Sequence, residues 1–447
     1  MNLRPPLKQR RHQEGSILIL VLWIAFGLVA IAIYFSHSMS VELQASDNRV
    51  ASFEAGQAIE GAAVYVSNIL ANLQTPNTLP SPVNYRTEGV KVGNARFWLI
   101  GRDTNVYQSA VAREHPFWGL IDEATKLNLN AATPVQLAWL PQMTANLASN
   151  IYDWRTSDSN SSQLYTTMQP PYNSKGSNYE SVDELRLIYG MNLDILYGED
   201  GNLNGFLDPN ENDGDILPPH DNKDGQLQSG LLEFCTVWSH EGNVISNGQS
   251  RVIVTNLTGL ATLFSNSFPS LSQYLRVFNP SPPTPPAPPT CVLDFYNRAS
   301  SSQPGMSEAD FQQVEPFLMN PNTNGLIDID TVSPTVLAAV INDTNLAATL
   351  INYRQSTPPL TPSISWVKDA IGSSATSITE VGPYITPYVF QYTADVAAVG
   401  HNGRGYRRVR FIFDCSSGVP QIVYRQDLTH LGWALGKNLY DQLAANK

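Results

Sequence analysis

Residues 16–35 read SILILVLWIAFGLVAIAIYF and contain no charged side chain. As an α-helix rising ~1.5 Å per residue, this stretch is roughly 30 Å long, about the hydrocarbon thickness of a bilayer. The positive-inside rule predicts that the basic segment before it stays in the cytoplasm and that the bulk of the chain lies across the membrane. A plain signal anchor and a cleaved secretory signal are alternatives, although no clear A-x-A cleavage site follows. The charged residues of the head are Arg4, Lys8, Arg10, Arg11 and Glu14.

The helical pattern continues beyond the apolar run. No proline occurs from Ser16 through Thr75, and apolar residues recur there at helical spacing with charged residues between them. The sequence therefore predicts one continuous helix of ~90 Å that runs from the membrane into a soluble domain. Pro76 marks its expected end.

Composition limits the classes of function. The chain has 447 residues, of which 42% are hydrophobic and 15% charged, so a sizeable core is expected and global disorder is not. The net charge of −12 argues against a nucleic-acid-binding surface, which needs clustered cations. The sequence contains no H-E-x-x-H, no G-x-S-x-G and no phosphate-binding glycine loop. We therefore predict that the protein is not an enzyme.

The three cysteines, Cys235, Cys291 and Cys415, form no C-x-x-C pair, so a zinc site is not expected. In an oxidising compartment one pair could form a disulfide and leave one free thiol. The sequence does not identify that pair, and we slightly prefer Cys291 with Cys415.

Strand patterns occur near both ends of the soluble region, and the part between them is largely helical. Turn residues separate the strand-like stretches. The predicted fold class is therefore α+β, with an antiparallel sheet interrupted by a large helix-rich insertion. The expected strands are a hairpin within 83–103 that turns at Gly93-Asn94, one strand near 106–112, and three more at 389–399, 407–413 and 419–425. A capping box, Ser181-x-x-Glu184, predicts a helix at 182–189.

An internal repeat lies within the insertion. Residues 127–134 (LNLNAATP) and 327–334 (IDIDTVSP) share a strand-like start followed by Thr or Ser and then Pro, and 252–258 is a weaker copy. Thr133 and Ser333 are predicted helix N-caps, with proline at the first helical position. The pattern is similar to SAM-like or helix-hairpin-helix-like modules, some of which bind DNA. Here the segments between the helices have neither Gly-x-Gly nor Lys, which favours a packing role.

Residues 200–211 (DGNLNGFLDPNE) match the EF-hand pattern D-x-[DN]-x-[DN]-G-x₅-E at every fixed position. Calcium is a hard cation that takes roughly six to eight oxygen ligands. Pro209 is unusual in such a loop, and no long second helix follows. The alternative is a solvated Asn/Asp/Gly turn. The predicted ligands are side-chain oxygens of Asp200, Asn202, Asn204, Asp208 and Glu211 and the backbone carbonyl of Phe206.

Further oxygen-bearing side chains follow this loop. They could hold a second calcium ion or close the first loop, although His220 stands where a first acidic ligand would be expected. The predicted role of the metal is structural, because it would order a loop of ~35 residues that cannot otherwise bury its carboxylates. These additional candidates are Asn212, Asp213, Asp215, Asp221, Asp224 and Glu233.

The N-terminus resembles that of type IV prepilin-like proteins: a basic head, then Gly15, then an apolar helix that begins at Ser16. The resemblance implies that a prepilin peptidase cleaves after Gly15 and methylates Ser16. Most members carry Glu as the fifth mature residue, where this chain has Leu20. The K-type minor pseudopilins of type II secretion lack that Glu.

Two further stretches are similar to K-type pseudopilins. Residues 122–130 (DEATKLNLN), with Asp-Trp-Arg at 153–155, look like their first helical module, and 392–396 (YTADV) looks like their closing sheet. The resemblance implies a pilin-like fold whose long spine helix packs on the sheet, and calcium within 199–233. It also implies the other minor pseudopilins and the major pseudopilin as partners, and no nucleic acid. The implied location is the inner membrane, with the bulk of the chain in the periplasm at the pseudopilus tip.

Two other hypotheses of function remain open. One is a membrane-anchored, helix-hairpin-like nucleic-acid-binding protein of DNA uptake, and the other is an anchored, calcium-dependent extracellular structural protein. The predicted segments are a leader at 1–15, the spine helix at 16–75, the first part of the sheet at 76–118, the insertion at 119–380 with a proline-rich spacer at 279–290, and the second part of the sheet at 381–447.

Overall fold

The structure is a computed structural model, and it describes residues 14–103, 115–156, 164–214, 216–245, 248–279, 287–359 and 361–445. Four sequence predictions fall wholly or partly outside these residues. They concern the leader, the strand near 106–112, Asp215 and most of the proline-rich spacer.

The strands fall into one large sheet and three short parallel pairs. They are β1 (Val90–Val92), β2 (Ala95–Ile100), β3 (Ile121–Asp122), β4 (Leu127–Asn128), β5 (Cys235–Thr236), β6 (Val252–Ile253), β7 (Leu318–Met319), β8 (Ile327–Asp328), β9 (Ile385–Thr386), β10 (Gln391–Val399), β11 (Arg407–Asp414) and β12 (Gln421–Asp427).

The helices lie mostly between β3 and β9. They are α1 (Glu14–Ala71), α2 (Pro134–Ala138), α3 (Ala145–Arg155), α4 (Leu193–Tyr197), α5 (Leu231–Phe234), α6 (Leu257–Ser267), α7 (Val292–Ser300), α8 (Glu308–Val314), α9 (Pro334–Ile341), α10 (Thr344–Ser356), α11 (Ser365–Ile371), α12 (Ala375–Val381) and α13 (Lys437–Ala445). Short 3₁₀ helices include Val182–Leu187, Pro209–Glu211 and His401–Gly403.

Helix α1 is continuous over 58 residues, as the sequence predicted, although it ends at Ala71 rather than at Thr75. Its most apolar 18-residue window has a mean hydropathy of 2.9, and none of that window is buried by the rest of the chain. By length and composition, α1 could therefore cross a membrane. From Ala51 onward one face of the helix lies on the sheet, where Ala55, Ala58 and Ala62 are fully buried.

The large sheet is antiparallel in the order β1-β2-β10-β11-β12, and β3 also pairs with β10. All nine residues of β10 are buried because both faces of this central strand are covered. Ala394 and Val396 pack in the cluster that contains α1, whereas Ala397 and Val399 pack on the opposite face with Leu435.

These elements confirm the predicted α+β class, with a long N-terminal apolar helix, an antiparallel sheet and a helical insertion. The predicted hairpin is present as β1 and β2, and β12 begins two residues later than expected. The capping box of Ser181 and Glu184 is also present. It opens a 3₁₀ helix, Val182–Leu187, rather than an α-helix to residue 189.

The two strong repeats fold alike. Strands β4 and β8 each lead into a pair of helices, and the first helix is capped by Thr133 or Ser333 as predicted. The last arginine of each unit then folds back onto its beginning. Arg354 donates to the carbonyls of Ile329 (2.8 Å) and Val332 (3.0 Å), and Arg155 donates to the corresponding carbonyls of Leu129 and Ala132. Both guanidinium groups therefore stabilise the modules themselves.

The weaker repeat is also a structural unit, because β6 leads into α6. Each of the three opening strands pairs in parallel with a short strand from later in the chain: β4 with β5, β6 with β7 and β8 with β9. The modules share one apolar core, which includes Leu137, Phe264 and Leu337. The partner strands did not follow from the sequence, because two residues are too short to carry a pattern.

Candidate metal centre

The predicted calcium loop, residues 200–211, follows α4 and lies beneath the C-terminal segment. The Nδ2 of Asn202 donates to the carbonyl of Trp433 (3.2 Å), and the Nδ2 of Asn204 donates to that of Ala434 (3.3 Å). These contacts cover the loop, and Asn204 is fully buried. Part of the loop is therefore buried in the fold, while Gly205 and Pro209 are exposed.

Asp200 shapes the turn of the loop. Its Oδ1 accepts the backbone N–H of Asn204 (3.0 Å), and its Oδ2 accepts that of Gly205 (2.8 Å). Gly205 has a φ of +67°, which only glycine adopts readily, and a Cβ there would approach the side chain of Arg102 to 2.7 Å. The sharp turn that the EF-hand pattern requires of its sixth residue is therefore present.

Three predicted ligands are buried carboxylates: Asp200 and Glu211 are 1% exposed, and Asp208 is 7% exposed. Burial raises the pKa of Asp200 to about 6. Burial, with the nearby charge of Asp200, raises the pKa of Glu211 to about 9, and burial also raises the pKa of Asp208. A hard divalent cation bound here would favour the ionised form of these carboxylates and neutralise their charge.

In the structure, oxygens of the loop side chains accept hydrogen bonds from neighbouring donors. The Nδ2 atoms of Asn202 and Asn204 donate to the same Oδ2 of Asp208, at 2.7 and 2.9 Å. Glu211 accepts the backbone N–H groups of Gly201 and Asp208, both at 3.0 Å. Among the residues that the structure describes, no group of three His, Cys, Asp or Glu side chains has an arrangement that could hold a metal ion. The donor set fits calcium in its chemistry, since it offers oxygens only, and rotation of the two amides would add two more.

Phe206 was predicted to contribute its backbone carbonyl. Its N–H donates to Oδ1 of Asn204 (2.8 Å), so the chain turns at Asn204 and continues towards Asp208. Asp208 directly precedes the short 3₁₀ helix Pro209–Glu211, in which Pro209 takes the first position and Glu211 the last. The unusual proline is therefore accommodated as a helix start.

In the second acidic stretch, residues 212–225, side chains accept hydrogen bonds from other groups of the same stretch. Asp221 accepts the backbone N–H groups of Asp213 (3.0 Å) and Gly214 (2.9 Å). Asn212 accepts the N–H of Gly225 (3.0 Å), and Asp224 accepts a hydrogen bond from Asn222 (3.1 Å). These contacts give the stretch a defined shape.

Two further carboxylates near the loop, those of Glu233 and Glu199, make contacts that the sequence did not predict. Glu233, considered as a further ligand, instead forms a bidentate ion pair with Arg102, at 2.6 and 2.9 Å. Glu199 was not predicted, yet it is buried and accepts the N–H groups of Asn222 (3.2 Å) and Gln228 (3.0 Å). Its place directly before Asp200 was the only signal in the sequence.

The three cysteines are free thiols, so the preferred pair of Cys291 and Cys415 does not form. Cys235 and Cys291 lie in the core of the insertion, whereas Cys415 packs against the cluster between α1 and the sheet. Burial raises the pKa of Cys235 and of Cys415 to about 12, which makes both poor nucleophiles.

Helix α1 carries a second candidate surface on the face that does not touch the sheet. Leu43, Val50 and Val64 are exposed there at intervals of seven and fourteen residues. Seven residues make about two turns, so the three side chains follow one line along the helix. We call this line the helix stripe. Leu20, the fifth residue after Gly15, is also exposed.

No family model and no curated protein matches this chain. Five chains of solved structures match. One of them belongs to the GspK-GspI-GspJ complex of the type 2 secretion system from enterotoxigenic Escherichia coli, with 9% identity over 87% of this chain and 98% of that chain. The TM-score of 0.40 is too low to support an inference.

Proposed function

We propose that the protein is a minor pseudopilin of the K type, which lies at the tip of the type II secretion pseudopilus and initiates its assembly. The observation that carries the proposal is α1. One uninterrupted helix is exposed and apolar over its first part and packs against an antiparallel sheet over its last part. A single element thus offers both a membrane anchor and the support of a soluble domain.

Processing is the first step of this function. A prepilin peptidase of the inner membrane removes residues 1–15 after Gly15 and methylates Ser16. The basic head keeps the cleavage site on the cytoplasmic side and sends the sheet and the insertion into the periplasm. Mass spectrometry of the protein extracted from membranes tests this step. It should report N-methylated Ser16, and an intact Met1 would contradict the proposal.

Leu20 supports a position at the tip. In a pseudopilus, a carboxylate at the fifth mature residue would pair with the N-terminal ammonium of the neighbouring subunit nearer the tip. An unpaired charge inside the membrane is costly, so this contact fixes where a subunit can lie. A subunit with leucine there has no such pairing to make with a neighbour above it. The bulky insertion would also block further stacking.

The partners in this proposal are other minor pseudopilins, followed by the major pseudopilin. They dock their own apolar helices along the helix stripe of Leu43, Val50 and Val64, in the manner of helix-to-helix packing. Affinity purification of the full chain from membranes tests the partnership. Recovery without any pseudopilin would contradict it.

We further propose that the loop at 200–211 binds calcium. The ion would neutralise buried carboxylates and tie the loop to the core. The ligands are Asp200, Asn202, Asn204, Phe206, Asp208 and Glu211, and a second ion would draw on Asp213, Asp215, Asp221 and Asp224. The raised pKa values of Asp200 and Glu211 support the first site. Calorimetric titration of the chelator-treated protein with calcium chloride tests both and counts the ions.

A further inference from the structure

A buried arginine connects the calcium loop to the central strands of the sheet. Arg408 lies on β11 and is fully buried. Its Nε and Nη2 donate to the two carboxylate oxygens of Asp395 on β10, at 2.8 and 2.7 Å. The same guanidinium reaches across to the loop, where Nη2 donates to the carbonyl of Leu203 (2.8 Å) and Nη1 donates to that of Asn202.

A second arginine shares the carbonyl of Leu203 and adds that of Asn204. Arg102 follows β2, and its Nη2 donates to Leu203 O (3.1 Å) while its Nη1 donates to Asn204 O (3.3 Å). Glu233 holds this guanidinium as Asp395 holds that of Arg408. The carbonyls of three consecutive residues, 202–204, therefore all point to arginines.

Leu203 shows why the loop needs this support. Its φ is +55°, a left-handed conformation that a leucine side chain disfavours and that persists only where surrounding contacts impose it. Its carbonyl is the one that both arginines hold. The conformation of Leu203 sets the directions of the side chains on either side, Asn202 and Asn204, which are two of the proposed ligands.

Carboxylates offset most of the positive charge of this network. Arg408 faces the buried Asp395 and Arg102 faces the half-buried Glu233, and Asp395 also contacts Arg410 (3.0 Å). Although burial raises the pKa of Asp395, Arg408 and Arg410 outweigh it and lower that pKa to about 2. The carboxylate thus stays ionised at neutral pH. The arginines can hold the loop without placing a large uncompensated positive charge beside the ion.

We propose that Arg408 and Arg102 are positioning residues for calcium: they fix the backbone of residues 202–204 from outside, so that the loop presents its oxygens inward before the ion arrives. This inference rests on the calcium binding proposed above. The conformation of the loop then depends on contacts from the sheet and not on the loop sequence alone. Groups that orient metal ligands from behind typically change metal affinity by about 10- to 100-fold when altered.

The test compares two arginines that share one carboxylate. Arg408→Lys keeps the charge beside Asp395 but loses the fork that reaches the loop carbonyls. Arg410→Lys is the matched control, since Arg410 also contacts Asp395 and, within the part of the chain that the structure describes, donates no hydrogen bond to residues 202–204. Full-length wild type and both variants are treated with chelator in detergent and titrated with calcium chloride by calorimetry.

We expect Arg408→Lys to weaken calcium binding by about tenfold or more and Arg410→Lys to leave it within about twofold. Melting temperatures with and without calcium separate positioning from general stability. A merely structural role lowers both temperatures equally, whereas a positioning role also reduces the increase that calcium produces.

The outcomes distinguish this inference from the proposal on which it rests. If wild type does not bind calcium, the calcium proposal and this inference both fail. If wild type binds and both variants bind equally well, only the inference fails. Should Arg408→Lys not fold, Glu233→Gln removes the partner of Arg102 without altering the loop itself. Unchanged affinity in that folded variant would overturn the inference.

Discussion

The two parts of α1 show how one helix serves two environments. Over residues 17–40 the side chains are exposed and include large apolar residues such as Trp23 and Phe26. Over 51–71 the buried face is built largely of alanine, because a helix that lies close to a sheet has little room between the two backbones. Both parts share helical periodicity and continuity. They differ in the size of their side chains, which follows the surface that each part contacts.

The largest expected effect comes from enlarging a buried alanine. Ala58 lies on α1 and is fully buried against the sheet. Ala58→Leu should lower the free energy of unfolding by about 1–3 kcal/mol, because the added atoms force the helix away from the sheet. Urea unfolding in detergent measures this change. Ala25→Leu, in the exposed part, is the matched control and should leave the unfolding midpoint unchanged. Equal losses of stability in both variants would show that the two parts of α1 do not differ in packing.

A charge on the helix stripe should separate folding from assembly. Val64 is on the soluble part of α1 and is exposed, so Val64→Asp should change stability by no more than about 0.5 kcal/mol. It should nevertheless strongly reduce the recovery of partner pseudopilins, because the aspartate would be buried without a partner in the helix contact. Quantitative affinity purification measures the loss. Normal recovery from a normally folded variant would exclude the stripe as the docking line.

The junction between the two parts of α1 should respond to pH. His401, in the turn between β10 and β11, contacts Glu54 (2.7 Å) and Asp47 (2.9 Å) on the helix. These two hydrogen bonds raise the pKa of His401 above its ordinary 6.5. The stabilisation is therefore complete below about pH 6.5 and is lost as the pH rises through the higher folded-state value.

Replacing His401 with glutamine should remove this pH dependence. His401→Gln should lower the melting temperature at pH 6 by a small amount and have less effect at pH 9. Melting curves across that range measure the difference between wild type and variant. A difference that stays constant with pH would show that the charge of His401 does not hold the helix to the turn.

The smallest effect is expected in the membrane part. Leu20→Glu should be tolerated in assembly if no subunit lies above this one, because the added carboxylate then has no required partner and can be protonated. Export by cells that carry the variant, measured against wild type, should remain close to normal. A strong loss of export would count against the position at the tip.

The repeated modules show what could be predicted beyond α1. The Thr133 and Ser333 caps follow from local rules, since a cap involves only residues a few positions apart. The parallel partners β5, β7 and β9 come from 58 to 108 residues away along the chain and did not follow from the sequence. Long-range pairs of two residues leave no local pattern that could identify them.

By itself, the sequence determined the membrane-length helix, the α+β class, the module caps and the turn of the loop at Gly205. Each depends on periodicity, composition or the conformational freedom of neighbouring residues. Only the tertiary structure decided that the cysteines stay apart, that Glu233 pairs with Arg102 and that Arg408 reaches the carbonyl of Leu203. These contacts join residues that are up to about two hundred positions apart, and packing of the whole chain brings them together.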